Sequence, residues 1–476
     1  DRADMSAERH SSDGTTEAVI EVCPSSADAY GGFAAPAAQL GQANPSLAQP
    51  ALLALTNAAR SQLPETIVNS VSYSYSSDAL ALGDPFTIDI PNPRGKYTDK
   101  FLCGQTVKLY LKNPHVEGGT RTLKKTAIIV KRDQSCGPQG RTIHLDCADL
   151  GWHLANNDAP IWYVLQGTSL YRLCKDPNWI DPSWGIRGLD VDTATDRLIK
   201  QGLNQGRRER ELELQNILGT FVKIQTEVGD SIAGTISEYA RRENRLVNVS
   251  SDGYLQIYKP DYSIEPKFRI ELHDLNDSSR NRNNVLDVRI SEDITPKATH
   301  VICQGEQVGA YLAPNDPTDQ NAARRRGDFR NQFALPFYKR KTFADNLGVF
   351  DVPHAKKAAQ WAYERGIFES WQAVYVVRDH WQKPDGGSRA WWWESNELCT
   401  VDDTLNGIQG TFWISSVRCD RTMQGDRTTV TLRKPCFEPA FGRYPSPPKL
   451  SGSIKDYLNG LSQKTETGTA NKVTKP

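Results

Sequence analysis

Phe86, Ile88 and Ile90 alternate with Thr87 and Asp89, and Val71, Tyr73 and Tyr75 alternate with serines. Successive side chains of a strand point to opposite faces, so a period of two marks strands with one buried face. The same pattern returns at Val107, Leu109 and Leu111, at 127–131 including Ile129, and at Ile143, Leu145 and Cys147. Pro and Gly at 91–95 supply a turn between runs. Short strands broken by such turns imply an antiparallel barrel or sandwich.

One core does not serve 476 residues, so three or four domains are expected. The 57 basic and 57 acidic residues cancel, which leaves no overall field to draw nucleic acid or an acidic membrane. No apolar run approaches the roughly 20 residues of a membrane-spanning helix. The polar segment 1–16 lacks the apolar centre of a signal peptide. Nine cysteines, an odd number with no C-x-x-C pair, read as reduced thiols. Cys147 and Cys399 fall within strand patterns, as small hydrophobes do.

Residues 1–64 are rich in Ala, Ser, Gly, Gln and Pro and read as an aperiodic arm. Segment 190–216 is charged and helical in pattern, suited to bridging two domains. A compact unit follows: a strand over 221–226, a turn at Gly229, and a helix capped by Asp230 or Ser231. Ile232, Ile236, Tyr239 and Ala240 share one face of that helix, and Asp252-Gly253 turns into a strand over 254–258. Segment 312–352 has few periodic apolar residues and carries Arg324-Arg325-Arg326. A helix starts near Pro353, with a small-residue face of Ala355, Ala358, Ala359 and Ala362. Strands resume at 374–377 and end in a hairpin near Pro435, and the tail after 438 is rich in Pro, Ser, Gly and Lys.

An internal repeat organises these parts. The stretch Lys131, Arg132, Asp133, Gly140, Thr142, Ile143, His144, Leu145 is echoed by Arg418, Cys419, Asp420, Gly425, Thr429, Val430, Thr431, Leu432. Asp133 aligns with Asp420 and Thr142 with Thr429; upstream, Val107 and Leu109 match Cys399 and Val401. Either these are two glycine-turn hairpins of ordinary likeness, or the chain holds two copies of one barrel. Two copies would let three chains build a pseudo-sixfold ring.

Three stretches resemble the baseplate hub protein of Mu-type contractile phages, related to the hub portion of type VI secretion spike proteins. One is 221–260, with Gly229-Asp230-Ser231, Ala240-Arg241 and Asp252-Gly253-Tyr254-Leu255, similar to that family's LysM-like element. A second is 285–305, with Arg289, Ile290, Thr299 and Gly305. The third is 358–435, with Trp393, the strand 397–403, Gly410 and the closing hairpin. The resemblance implies a mainly β fold with α+β insertions: two duplicated tail-tube-like antiparallel β-barrels plus a LysM-like α/β module. The expected division is an arm 1–64, a first barrel 65–189, a bridge 190–216 and the LysM-like module 217–284. The second barrel takes 285–312 and 371–437, an Arg-rich insertion and helix 313–370, and a tail 438–476. It also implies a homotrimer in the virion's tail baseplate, assembled in the host cytoplasm. Its partners are the tail tube protein, a separate central spike protein and the baseplate wedge proteins, with DNA passing transiently through the lumen.

The expected site is therefore an assembly framework: Val107, Leu109, Ile129, Ile143, Leu145, Val401, Ile414, Val430 and Leu432. Trp391, Trp392 and Trp393 add aromatics for packing or an interface; alternation would put Trp391 and Trp393 on one face, against the Ala-faced helix or a neighbour. The eight histidines are dispersed, without H-E-x-x-H spacing, and no P-loop occurs, so no catalytic, cofactor or metal residue is expected. Arg326-Gly327-Asp328 matches an adhesion tripeptide by chance within an Arg-rich loop. Three other readings stay open: a tail-associated peptidoglycan hydrolase, a glycan-binding adhesin using the tryptophans or the LysM-like element, and the hub of a non-phage contractile injection system.

Overall fold

The computed structural model describes residues 16–23, 65–68, 72–160 except 98, 99 and 139, 168–169, 173–191 except 188, 220–221, 226, 228–242, 245–274 except 261 and 263, 283–305, 326–345 except 333, and 352–435 except 384–388 and 423–424. The expected bridge 190–216, the strand over 221–226 and the C-terminal tail fall almost wholly outside these.

Thirteen strands form one sheet. The first seven are β1 (Glu17–Cys23), β2 (Glu65–Val68), β3 (Ser72–Asp78), β4 (Pro85–Pro91), β5 (Thr106–Lys112), β6 (Thr122–Gly137) and β7 (Gly140–Asp149). The other six are β8 (Phe268–Leu272), β9 (Val285–Glu292), β10 (Trp371–Arg378), β11 (Leu398–Asp403), β12 (Ile408–Thr422) and β13 (Gly425–Arg433). Their order is β9-β10-β13-β12-β3-β4-β7-β6-β5-β1-β2, and β8 and β11 branch from β12. All but one of these pairings are antiparallel, β8 lying parallel to β11. The fold is mainly β, and the period-two runs are what build it: in β4, Phe86, Ile88 and Ile90 are buried while Thr87 and Asp89 are not.

The order contains the same arrangement twice. β3, β4, β7, β6 and β5 stand to one another as β9, β10, β13, β12 and β11 do. Register fixes the correspondence. The hairpins close between Gly137 and Gly140 in one unit and between Thr422 and Gly425 in the other, with both later glycines at positive φ. A bulge interrupts the ladder between Ile129 and Lys131, and another between Ile414 and Ser416, at the same distance from the hairpin tip. Val107 opposes Ala127 as Cys399 opposes Phe412, so that part of the repeat holds residue for residue. The hairpin alignment shifts by two positions: Asp133 corresponds to Arg418, not Asp420, and Thr142 to Arg427, not Thr429. A two-residue slip keeps every side chain on its face, so the hydrophobic pattern could not detect it. The outermost strands differ: β1 runs antiparallel to β5, whereas β8 runs parallel to β11.

β1 lies inside the segment expected to be an aperiodic arm. Ala18, Ile20 and Val22 are buried against β5, with Val22 opposite Val107, and Glu17 reaches Lys112 at 3.7 Å. One hydrophobic core runs through both units, from Ile20 and Leu109 to Tyr375 and Leu432.

Two smaller bodies pack beside the sheet. In the first, α1 (Gly151–Asn156) and α2 (Ile232–Arg242) cover a three-stranded sheet of Leu246–Val249, Leu255–Tyr258 and Leu189–Val191. Ile232, Ile236, Tyr239 and Ala240 are its buried helical face, and the Ser231 hydroxyl accepts from the Gly234 amide at 3.0 Å to cap α2. Its core also takes in Leu150, Leu154 and Trp179, from the chain that follows β7. In the second body, α3 (Val352–Glu369) covers His300–Gly305, which pairs with Arg326–Arg330 and Arg340–Asp345. His300–Gly305 thus pairs outside the large sheet, because Val301 and Cys303 face Ala355 and Ala359. Gly327 is buried beneath α3, so Arg326-Gly327-Asp328 is a strand and not an adhesion loop.

Candidate functional site

β12 is longer than its neighbours need. Its first half pairs with β11, and its second half, on the same edge, pairs with β3 of the other unit, from Ser416 opposite Asp78 to Arg421 opposite Tyr73. The Ala79 amide extends this seam by donating to the Ser415 carbonyl at 2.9 Å. The seam joins the two repeats into one sheet.

Beneath it lies a closed polar cluster. His380 is fully buried, its ring 5.7 Å from that of Tyr73, and its Nδ1 lies 3.1 Å from the Thr428 hydroxyl. Burial, reinforced by the Arg421 guanidinium, pushes its imidazole down to about 3, so it is neutral near pH 7. Arg421 approaches Asp426 at 3.6 Å, and burial raises that carboxyl. A general base has to meet water or substrate. Here the imidazole is neutral and sealed, an arrangement that holds strands together.

The tryptophans fasten the units from above. Trp391–Trp392 is a two-residue strand paired with Trp381–Gln382, so the run leaves the ladder before alternation can act, and Trp392 and Trp393 are both buried. Trp393 stacks on Phe268 of β8, centroids 4.4 Å apart. Trp392 donates from Nε1 to the Thr122 hydroxyl at 3.2 Å, and Glu394, two residues on, pairs with Lys124 at 2.6 Å. One loop therefore grips β6 of the first unit and β8 of the second. The alanine face of α3 packs on its own three-stranded sheet instead of on these indoles.

A buried ion triad ties β6 to the start of β4 and the end of β7. The Lys125 ammonium lies 2.9 Å from Asp84 and 3.1 Å from Asp149, all three side chains at most 5% exposed. Asp149 also accepts from the Gly151 and Gly83 amides at 2.8 and 3.1 Å. Burial raises the Asp84 carboxyl to about 6, with Lys125 opposing. The signal in the sequence was Lys124-Lys125, charge where the strand pattern calls for apolar residues, but a sequence does not show which carboxylates answer it.

Val107, Leu109, Ile129, Ile143, Leu145, Val401, Ile414, Val430 and Leu432 are all within the common core, none more than 1% exposed. They hold each unit's own strands together. Five cysteines, Cys147, Cys174, Cys303, Cys399 and Cys419, are buried; burial pushes the Cys174 thiol up to about 12 and that of Cys419 to about 11. Among the described residues no cluster of three His, Cys, Asp or Glu could hold a metal, and no helix is long and apolar enough to cross a membrane.

This doubled sheet with side bodies is the fold of phage tail proteins. The structure overlays the tail protein from Neisseria meningitidis MC58 with a TM-score of 0.58 at 18% identity, over 78% of this chain and 94% of that one. It overlays the 43 kDa tail protein of prophage MuSo2 from Shewanella oneidensis at 0.55 and 16% identity, over 78% and 96%. Shallower is the likeness to a type VI secretion component of E. coli, 0.42 at 8% identity, over 79% and 76%; the fold assignment stands on the two tail proteins. No protein-family model matches the sequence, and none of the curated proteins matches it.

Proposed function

We propose that this chain is the structural baseplate hub of a contractile phage tail. Three copies form a pseudo-sixfold ring that joins the tail tube to the central spike and nucleates the baseplate. The observation that carries the reading is the duplication: two units of like strand order and register, bulges included, sit in one sheet. Three such chains present six like units, which is what a threefold spike and a sixfold tube require of the part between them. The fold shared with two tail proteins supports the same conclusion.

Its partners are then itself, the tail tube protein, the central spike protein and the wedge proteins, with DNA passing through the lumen, in a virion baseplate assembled in the host cytoplasm. The α2 body acts as a LysM-like packing module. The chain performs no catalysis, and its work is mechanical.

Light scattering over a concentration series tests this. A mass near three chains is the expected result, and a monomer at the highest soluble concentration overturns the ring. Clearing of a peptidoglycan suspension by the purified protein would establish the hydrolase reading instead, and retention on cell-wall material the adhesin. Reconstitution with tube and spike from a phage or from a secretion device decides between those two machines.

A further inference from the structure

The cluster of Lys125, Asp84 and Asp149 is built unevenly. Asp149 is cradled: its Oδ1 accepts from the Gly151 and Gly83 amides at 2.8 and 3.1 Å, and its Oδ2 faces the Lys125 Nζ at 3.1 Å. The cradle is tight enough that a Cβ on Gly151 would lie 2.8 Å from that Oδ1. Each oxygen of Asp149 thus has the donor that a carboxylate anion calls for. Asp84 is served differently. Its Oδ2 takes both the Lys125 Nζ at 2.9 Å and the Asp78 amide at 3.0 Å, and burial lifts the carboxyl to about 6. Two carboxyl groups whose surroundings differ in this way take opposite roles, one as acid and one as base. Between them stands an amine, a nucleophile once it has given up a proton.

We propose that this cluster is a self-modification site, where Lys125 and Asp84 condense to an isopeptide bond between Nζ and Cγ with Asp149 as the proton acceptor. Asp149 takes one proton from the ammonium and keeps it. The freed amine attacks Cγ of the protonated Asp84 carboxyl. The Asp78 amide stays on Oδ2, where negative charge gathers in the tetrahedral intermediate. The Cγ–Oδ1 bond then breaks, and that hydroxyl leaves as water with the second proton of the amine. The third proton remains on the amide nitrogen, and no oxidant or further reactant enters. A cation and an anion disappear from a site whose side chains are at most 5% exposed, which removes the cost of keeping them there. Because the fold holds the groups in contact, they react at an effective concentration that no free amine reaches.

The event happens once per chain and is not turnover. Both aspartates hold the Lys125 proton against burial, so closure lags folding: the ion triad is the newly folded form and the amide the aged one. The bond joins positions 41 residues apart. β4 and β6 flank β7 in the sheet, so a tie from one to the other fastens three strands together. It holds for a single chain and does not depend on the ring.

Intact mass reads the bond directly. The full chain, held folded for several days in mildly acidic buffer, is expected to be lighter than its sequence requires by one water. A sample kept in urea from the moment of lysis should retain the full mass. Tryptic digestion of the aged chain should yield a branched peptide carrying both Asp84 and Lys125, and fragmentation locates the link. Lys125→Arg keeps the charge without a primary amine, so its mass should stay full. A folded wild type that keeps its full mass overturns the proposal. So does an equal loss of water from K125R, which marks an aspartyl imide instead. A link found at Asp149 overturns the assignment of the two carboxyl groups. Should K125R fail to fold, the wild-type mass and the branched peptide decide by themselves.

Discussion

At the scale of single residues, charge buried with its partners is what the large sheet depends on most. Lys125 neutralises one of two carboxylates in a site without solvent, so removing it leaves Asp84 and Asp149 facing each other unpaired. Breaking a buried pair in this way costs about 3–5 kcal/mol. Lys125→Met should lower the urea midpoint by the corresponding amount, whereas Lys131→Met, at a pair more than half exposed, should leave it nearly unchanged. Asp84 carries a pH signature of its own. Between the ordinary carboxylate value of 3.8 and about 6, the folded chain retains a proton that the unfolded chain has released. The stability this group contributes is therefore full below that window and lost as pH rises through it. Asp84→Asn removes the titration, so urea midpoints taken on either side of the window should fall less with rising pH than those of the wild type.

At the scale of elements, α3 shows what a sequence reveals and what it hides. Its alanine face was legible from the spacing of Ala355 and Ala359, and close packing against a sheet followed from it. Which sheet was not legible, because the deciding residue is a glycine. A Cβ built on Gly327 would overlap the backbone of Ala355 and Lys356, and one on Gly366 would overlap the Pro296 carbonyl. Gly327→Ala should thus push the helix off Arg326–Arg330 and cost about 1–3 kcal/mol, as overpacking does. Lower thermal stability and faster proteolysis around α3 would record it. β1 failed for a different reason: Ala18, Val19 and Ile20 are apolar and buried in succession, so its seven residues show no period of two, and the Ala, Ser and Gly-rich surround outweighed them. The tryptophans failed because a two-residue strand is too short for alternation to govern. Strands such as β4 and β10 succeeded because each buries a full face, and the pattern then survives even a two-residue misalignment.

At the scale of the whole molecule, the number of copies can be read from a parity argument. Where the ring closes by pairing β9 of one chain with the outer half of β6 of the next, in the register that joins β12 to β3, the seam sets the basic edge of one chain, Lys131 and Arg132, against the acidic edge of another, Glu292 and Asp293. A chain carrying Lys131→Glu and Arg132→Glu meets like charge in its own copies, and so does a chain carrying Glu292→Lys and Asp293→Lys. Like charges directly opposite destabilise a strand pair, so each variant alone should assemble poorly. A chain carrying all four substitutions restores opposite charges at every seam and should regain the wild-type mass. Mixing the two single-edge variants separates the possible rings. Where the two kinds alternate, every seam is matched, and alternation around a closed ring needs an even number of chains. Three chains cannot alternate, so at least one seam in any mixed trimer sets like charge against like. Light scattering on the equimolar mixture should therefore show no recovery to the mass of three chains, while the fourfold variant recovers it. Full recovery of the mixture to a mass of two or four chains would count against a threefold ring and still leave the seam in place. Salt supplies the control, because the deficit comes from exposed charge that ions screen within a Debye length of about 10 Å at 0.1 M. Raising ionic strength should bring the mixture and the single-edge variants toward the wild type together, a convergence that a defect in folding would not produce.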